Sequence, residues 1–215
     1  MGDRISGVVG RDPFAETEDP RDPGESPTAG WTDLGPVGMD GGGDSSTPAN
    51  LQISGWPRSI TWDEFNELSA RPPGETEDAQ IHSEVDQPSR VSVVREGGIY
   101  RVTSLTVTLR TVNEDNWVVT SHKSADLLSH EQGHYDITGL MGRDMGNEIV
   151  AVRARSRQDL QTKVTQIIEK YRRRAKALSE RYDTKTDHSG NRQAQKRWDD
   201  AIQSAMKSGN PFSEP

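Results

Sequence analysis

The sequence has no cysteine among its 215 residues. Disulfide bridges, thiolate metal sites and cysteine nucleophiles are therefore excluded, and any metal ion must be bound by histidine or carboxylate side chains. The chain also lacks a run of about 18 apolar residues, the length that a membrane-spanning helix requires. Its first residues lack the apolar core of a classical secretory signal. We therefore predict a protein without a membrane partner. The lack of a signal by itself indicates a cytoplasmic protein, but the compartment stays open because a cysteine-free chain tolerates either redox environment.

Apolar residues are scarce, at 30% of the chain, whereas typical globular domains have roughly 45–50% when glycine is included. The polar excess is concentrated in residues 1–50, which hold ten acidic and three basic residues among proline, glycine and serine clusters. Such a segment buries too little apolar surface to offset its conformational entropy. We predict a disordered acidic tail over residues 1–50 and one folded domain over residues 51–208.

The net charge of −8 argues against nucleic acid as the main partner. The charge is uneven, however, because residues 151–185 carry eleven lysines and arginines against four acidic residues. We favour a solvated helix face, or one covered by the acidic tail, because aromatic residues rarely alternate with these cations. The alternative is a nucleic-acid-binding module that uses the basic helix 153–176.

The patterning of apolar residues changes once along the chain. Residues 58–70 have the start signals of a helix, which Pro72 and Pro73 would end. Between about 79 and 120 apolar and polar residues alternate, which predicts antiparallel strands with a hairpin turn at Gly97-Gly98.

Helical periodicity follows almost to the end of the chain. It predicts helices over residues 124–152, 156–182 and 190–206. Strands first and helices afterwards are typical of an α+β fold. We expect a small antiparallel β-sheet that packs against three helices.

The segment His130-Glu131-Gln132-Gly133-His134 opens the first predicted helix. Residues four apart share one face of a helix, so the two imidazoles can bind one zinc ion (Zn²⁺) from adjacent turns. Glu131 would then take a proton from the zinc-bound water and pass it to the leaving amine. Gly133 costs about 1 kcal/mol relative to alanine inside a helix, which indicates that another backbone element passes close to it.

A catalytic zinc site usually has a third protein ligand and one open position. Leu140 stands where the extended metzincin motif would have its third histidine, so that class is excluded. Glu148 would lie about 20 Å further along the helix axis, and a solvated role suits Glu169 better. His188 is the preferred third ligand, because antiparallel pairing of the first two helices would return its loop to the zinc pair. Asp187 is the alternative.

Tyr182 is a second candidate catalytic residue beside Glu131. Its hydroxyl would donate to the oxyanion that forms on the attacked carbonyl, as preorganised donors do in such sites. The alternative is a tyrosine that packs at the end of a helix.

Several short motifs occur together over roughly residues 80–200. They are the HEQGH helix after a strand region, then Tyr182-Asp183, Thr186-x-His188 and Gln195-x-x-Trp198. This set resembles a family of bacterial domains of unknown function that are described as predicted secreted zinc-dependent proteases. The resemblance implies a zincin-like metallopeptidase domain in which His130 and His134 bind the metal, Glu131 is catalytic and the Thr-x-His segment lies near the site. It also implies secretion.

The predicted function is zinc-dependent hydrolysis of a peptide or protein substrate. One alternative is a non-catalytic scaffold or binding protein in which zinc only ties the helices to the His188 loop, since structural zinc sites are closed by four protein ligands. The other is the nucleic-acid-binding module described above. The sequence indicates neither the substrate nor the oligomeric state.

Overall fold

The structure, a computed structural model, describes residues 49–215. The predicted disordered tail therefore lies outside the described residues, apart from its last two positions. The strands are β1 (Asn50–Ser54), β2 (Asn66–Leu68), β3 (Ala79–Gln80), β4 (Ser83–Val85), β5 (Ser89–Glu96), β6 (Ile99–Thr111) and β7 (Trp117–Val119). The helices are α1 (Ala125–Ala151), α2 (Arg157–Thr186) and α3 (Arg192–Ser208).

The strands form two small mixed sheets. In the first, the long strand β6 pairs with β1 in parallel and with β4 and β5 antiparallel. In the second, β7 lies between β2, which is parallel to it, and β3, which is antiparallel. The α+β class is confirmed, and the sheets are mixed rather than purely antiparallel.

The expected helix over residues 58–70 is wrong. Only one 3-10 turn forms, at Trp62–Glu64, and the chain then extends into β2. The start signal itself is present, because the Glu64 carboxylate accepts a hydrogen bond from the Thr61 backbone N–H at 3.1 Å. The three residues of β2 pair with β7, and tertiary pairing of this kind commonly overrides weak local helix preference.

Each of the three predicted helices is confirmed, and a polar side chain caps the start of each one. Ser124, Ser156 and Asn191 accept hydrogen bonds from the backbone N–H three residues further on, which satisfies donors that a helix start leaves free. The main difference lies at the end of α2, which continues to Thr186 instead of ending at residue 182. Asp183 consequently belongs to the last turn of α2.

The helix α1 is the centre of the fold. Sixteen of its 27 residues are buried, because the first sheet packs on one side of it and α2 and α3 pack on the other. At Gly146 a Cβ atom would lie 2.6 Å from Leu51 Cδ1 of β1, so glycine permits the close approach of helix and sheet. None of the helices between residues 49 and 215 is both long and apolar enough to cross a membrane.

The packed chain continues past the predicted domain end at residue 208. Phe212 is buried against Trp198 of α3, with ring centroids 6.2 Å apart. The Phe212 backbone N–H donates to buried Asp144 of α1 at 2.8 Å, and its carbonyl accepts from Arg174 of α2 at 2.6 Å. The C-terminal segment thus holds the three helices together.

Candidate metal centre

Three donor atoms converge where the start of α1 meets the end of α2. His130 Nε2 lies 3.2 Å from His134 Nε2, as expected for imidazoles one helical turn apart. Asp183 Oδ1 lies 3.1 Å from the first of these atoms and 2.7 Å from the second. The antiparallel packing of α1 and α2 brings this carboxylate to the histidine pair, so the site combines two helices.

His188 lies beside this group, just after the end of α2. Asp187, His188 and Ser189 all have left-handed backbone conformations, with φ of 51°, 47° and 75°. This turn brings His188 Nδ1 to 3.8 Å from Asp183 Oδ1 and 3.1 Å from Glu77 Oε1. The contact with Glu77 lacks hydrogen-bond geometry, so Nδ1 is a buried nitrogen without a hydrogen bond from the described part of the chain.

The Nδ1 atoms of the two motif histidines, here called their rear nitrogens, contact other side chains. His130 Nδ1 lies 3.1 Å from Gln195 Oε1 of α3, and His134 Nδ1 lies 2.8 Å from Ser179 Oγ of α2. Histidines that bind metals usually have such a partner on the second ring nitrogen, because it sets the ring orientation. Both Nε2 atoms are thereby directed at Asp183.

Glu131 is buried, with 2% of its surface exposed. Its Oε2 accepts a hydrogen bond from the Ile81 backbone N–H at 2.8 Å, which orients the carboxyl group. Burial disfavours the ionised form and raises the pKa of Glu131 to about 7. A carboxyl group with this pKa can both accept and release a proton near neutral pH.

Burial and charge act in opposite directions on the other groups of the site. Burial lowers the pKa of His130, so its imidazole favours the neutral form. For His134 burial also acts to lower the pKa, but the charge and hydrogen bond of Asp183 outweigh it and raise the pKa to about 9. Burial acts to raise the pKa of Asp183, yet the charge of His134 outweighs it and holds the pKa of Asp183 well below its ordinary value. Asp183 and His134 thus form an ion pair.

Tyr182 has a different position from the one that an oxyanion donor needs. It is fully buried, and its ring stacks on the His130 ring with centroids 4.7 Å apart. Its hydroxyl donates to the His130 carbonyl oxygen at 3.2 Å and accepts from Gln195 Nε2. With its hydroxyl engaged inside the core, Tyr182 supports His130 instead of facing a substrate.

The same tyrosine explains Gly133. A Cβ atom at this position would lie 2.5 Å from Tyr182 Cζ and closer still to the hydroxyl. The close neighbour is therefore a side chain of α2 and not a backbone element. Glycine at the centre of the motif is a packing requirement of the ring behind His130.

The donor set fits a zinc ion. Nitrogen and carboxylate oxygen are zinc ligands in proteins, with bond lengths of about 2.0–2.2 Å, and neighbouring ligands of a tetrahedral site then lie about 3.3 Å apart. The three distances among His130 Nε2, His134 Nε2 and Asp183 Oδ1 are 3.2, 3.1 and 2.7 Å. Within the residues that the structure describes, His130, Asp183 and His188 also form a group whose donor atoms lie within 4.8 Å of one another.

Residues 61–190 match the model of a family described as a bacterial protein of unknown function (DUF922). The match spans more than half of the chain. The chain belongs to this family. The family description names no activity, so membership confirms the bacterial domain of unknown function and leaves zinc and proteolysis as predictions. No curated protein and no solved structure matches the chain.

The site differs from the sequence-based expectation in one main respect. The structure places His188 Nδ1 3.8 Å from Asp183 Oδ1, with the His188 ring centroid 6.5 Å from that of His130, and its role as a ligand stays a prediction. It also adds Asp183, which the sequence indicates only as part of a Tyr-Asp motif. The runner-up, Asp187, is not among the grouped donors: it caps α2, and its side chain lies near Gly190. The sequence signal for Asp183 is the continuation of the second helix as far as Thr186. Because the predicted helix ended at residue 182, Asp183 was placed in a loop.

Proposed function

We propose that this protein is a zinc-dependent hydrolase that cleaves peptide bonds. The observation that supports the proposal most directly is the convergence of His130 Nε2, His134 Nε2 and Asp183 Oδ1 within 3.2 Å of one another. The buried carboxyl group of Glu131 follows the first of these ligands in the chain. A surface group of histidines would have neither the fixed rear nitrogens nor the enclosed carboxyl group.

In this proposal His130, His134 and Asp183 hold the zinc ion, and His188 is a further candidate ligand. Zinc in such a site acts as a Lewis acid and lowers the pKa of a bound water to about 7. Glu131 accepts a proton from the attacking water and returns it to the leaving amine. The Ile81 backbone N–H donates to Oε2 of Glu131, so Oε1 would be the oxygen that carries the proton.

Exposure indicates from which side a substrate would approach. The side chains of His130 and His134 are 3% and 13% exposed. Asp183, Glu77 and His188 are progressively more exposed, at 21%, 28% and 37%. We place the substrate on the side of His188 and Glu77, because the site opens there and is closed by α3 behind His130.

A second candidate function is supported by the number of donors. If Asp183 and His188 both bind the zinc ion together with the two motif histidines, four protein ligands close the site, as in structural zinc centres. The protein would then be a scaffold tied by zinc between α1 and the end of α2. Counting the ligands separates this candidate from the hydrolase.

The test is zinc content by elemental analysis, followed by cleavage of casein. Wild type is compared with Asp183→Asn, His188→Asn and Glu131→Gln, each reloaded with one equivalent of zinc after removal of metal by a chelator. The hydrolase proposal predicts one zinc per wild-type chain, cleavage by wild type, and a Glu131→Gln variant that keeps zinc without cleaving.

The other outcomes separate the candidates. If both Asp183→Asn and His188→Asn lose zinc and the wild-type chain cleaves no casein, the closed scaffold is favoured. A wild-type chain that takes up no zinc would contradict both candidates.

A further inference from the structure

Gln195 of α3 lies behind the metal centre and has no part in the proposed proton transfer. It is 9% exposed. Its Oε1 lies 3.1 Å from His130 Nδ1, and its Nε2 donates to Asp199 Oδ1 at 2.8 Å and to the Tyr182 hydroxyl. Both ends of the amide are therefore engaged by partners from three different helices.

Asp199 determines which way this amide faces. An ionised carboxylate only accepts hydrogen bonds, so the amide nitrogen of Gln195 must face Asp199 and the amide oxygen must face His130. An amide oxygen also only accepts, so His130 must carry its ring proton on Nδ1. The lone pair of the imidazole is then on Nε2, the atom that points at Asp183 and His134.

Among the residues that the structure describes, none constrains His134 in this way. Its Nδ1 lies 2.8 Å from Ser179 Oγ, and a serine hydroxyl donates or accepts equally well because its hydrogen rotates. Ser179 therefore orients the His134 ring without selecting where its proton lies. Within residues 49–215, His130 is the motif histidine whose partner selects the tautomer required for binding a metal through Nε2.

We propose that α3 sets the tautomer of His130 through Asp199 and Gln195, and that Gln195 is thus a positioning residue of the metal centre. The inference rests on the proposed function, since the tautomer matters only where His130 Nε2 binds a metal. The α3 helix begins at Arg192, beyond the residues 61–190 that match the family model. An essential part of the site would then lie outside the matched region.

The experiment measures the zinc dissociation constant of the metal-free full chain by competition with a chromophoric chelator. Gln195→Met keeps the length and volume of the side chain but removes the acceptor, so zinc binding should weaken 10- to 100-fold, the range known for outer partners of ligand histidines. The matched control is Gln193→Met, an exposed position of the same helix, which should bind zinc as wild type does. Ser179→Ala should weaken binding less than Gln195→Met.

A rescue distinguishes positioning from packing. Gln195→Glu keeps an acceptor for His130 but sets two carboxylates against each other, so zinc binding should weaken. Adding Asp199→Asn to that variant restores a donor beside the new carboxylate, and binding should return towards the wild-type value. Asp199→Asn alone lets the Gln195 amide face either way, so we expect a weakening of several-fold.

If Gln195→Met binds zinc as tightly as wild type does, this proposal is overturned and the zinc hydrolase proposal stands. If Gln195→Met does not fold, unchanged zinc affinity in Asp199→Asn has the same meaning. Failure of the double variant to recover, while each single variant is weakened, would also count against tautomer selection and favour a packing role. A wild-type chain that binds no zinc overturns both proposals, so the two failures are distinguishable.

Discussion

The two ends of the α1–α2 pair are both rich in charged residues, but they use them differently. At the end that holds His130 and Asp183, the charged and polar groups are largely buried, and their donor atoms point at one another. At the opposite end, the side chains of Lys163 and Lys170 are 43% and 50% exposed, and each forms an ion pair with a nearby carboxylate. Both ends carry charged side chains, but only the first end buries them and directs their atoms at one another.

The basic end has a local explanation. Arg153 donates to the carbonyl oxygens of Val150 and Val152, and Lys163 donates to that of Arg153, where α1 has just ended. Cations at a helix C-terminus satisfy free carbonyl groups and the helix dipole. Arg157 and Lys176 also have partners. Convergence and burial, rather than the number of charges, therefore distinguish the candidate site from the basic end. Because these cations have partners within the protein, the case for nucleic-acid binding is weaker.

The largest effect should follow from Glu131→Gln at the buried end. Loss of the group that we propose to carry the proton should lower kcat for peptide cleavage by about 10²- to 10⁴-fold. The zinc content should stay at the wild-type value because none of the proposed ligands changes. Cleavage of casein and elemental analysis on the same samples check this. Equal activity of the variant would contradict the role of Glu131.

Two aspartates four residues apart allow a matched comparison of zinc binding. Asp183→Asn should weaken zinc binding by more than about 100-fold, beyond the 10- to 100-fold range of outer partners, because Asp183 Oδ1 is one of the three converging atoms. Asp187→Asn should change little, since asparagine tolerates the left-handed backbone at this position. The measurement is chelator competition. The reverse order would restore Asp187 as the ligand.

The buried carboxyl group should also make stability depend on pH. The pKa of Glu131 is raised in the folded state from its ordinary 4.5 to about 7, so its contribution to the free energy of unfolding falls as pH rises through this window. Glu131→Gln should therefore stabilise the metal-free protein by up to about 3 kcal/mol at pH 8, and by much less at pH 4.5. Urea unfolding with excess chelator at both pH values checks this, and a pH-independent difference would contradict the burial argument.

The Tyr182 ring behind His130 should make alanine at two glycine positions differ in its effect on the free energy of unfolding. Gly133→Ala forces Cβ against the Tyr182 ring and should lower the free energy of unfolding by about 1–3 kcal/mol. At Gly142 the nearest atom to a Cβ would be Val85 Cγ2 at 3.0 Å, so alanine there should cost less. Urea unfolding of both variants measures the difference. An equal loss of unfolding free energy in both variants would mean that the Tyr182 ring does not pack tightly against α1.

The smallest effects belong to the basic end. Lys163→Gln and Lys170→Gln remove exposed ion pairs, which contribute about 0–1 kcal/mol, and should leave zinc binding and cleavage unchanged. Filter binding of a labelled oligonucleotide at 50 and 200 mM salt provides the control. Salt-sensitive binding that is lost in these variants would reopen the nucleic-acid alternative and remove the contrast between the two ends.

Much of the fold could be predicted because its signals are local. Alternating residues in β5 and β6 and the capped starts of the helices depend on neighbours in the sequence, and the structure confirms these elements. The expected helix at residues 58–70 failed because β2 pairs with β7, about 50 residues away. A capping signal at Thr61 and Glu64 could not reveal that distant partner.

In the candidate site, too, some features follow from local sequence and others depend on tertiary packing. The spacing of His130 and His134 determines by itself that two imidazoles share a helix face, since four residues make about one turn. Only the packing of α1 against α2 and α3 decided that Asp183 joins them, that Tyr182 lies behind His130, and that Gln195 holds its rear nitrogen. These contacts join residues 13 to 65 positions apart, and their geometry depends on how whole helices dock, which no local spacing encodes.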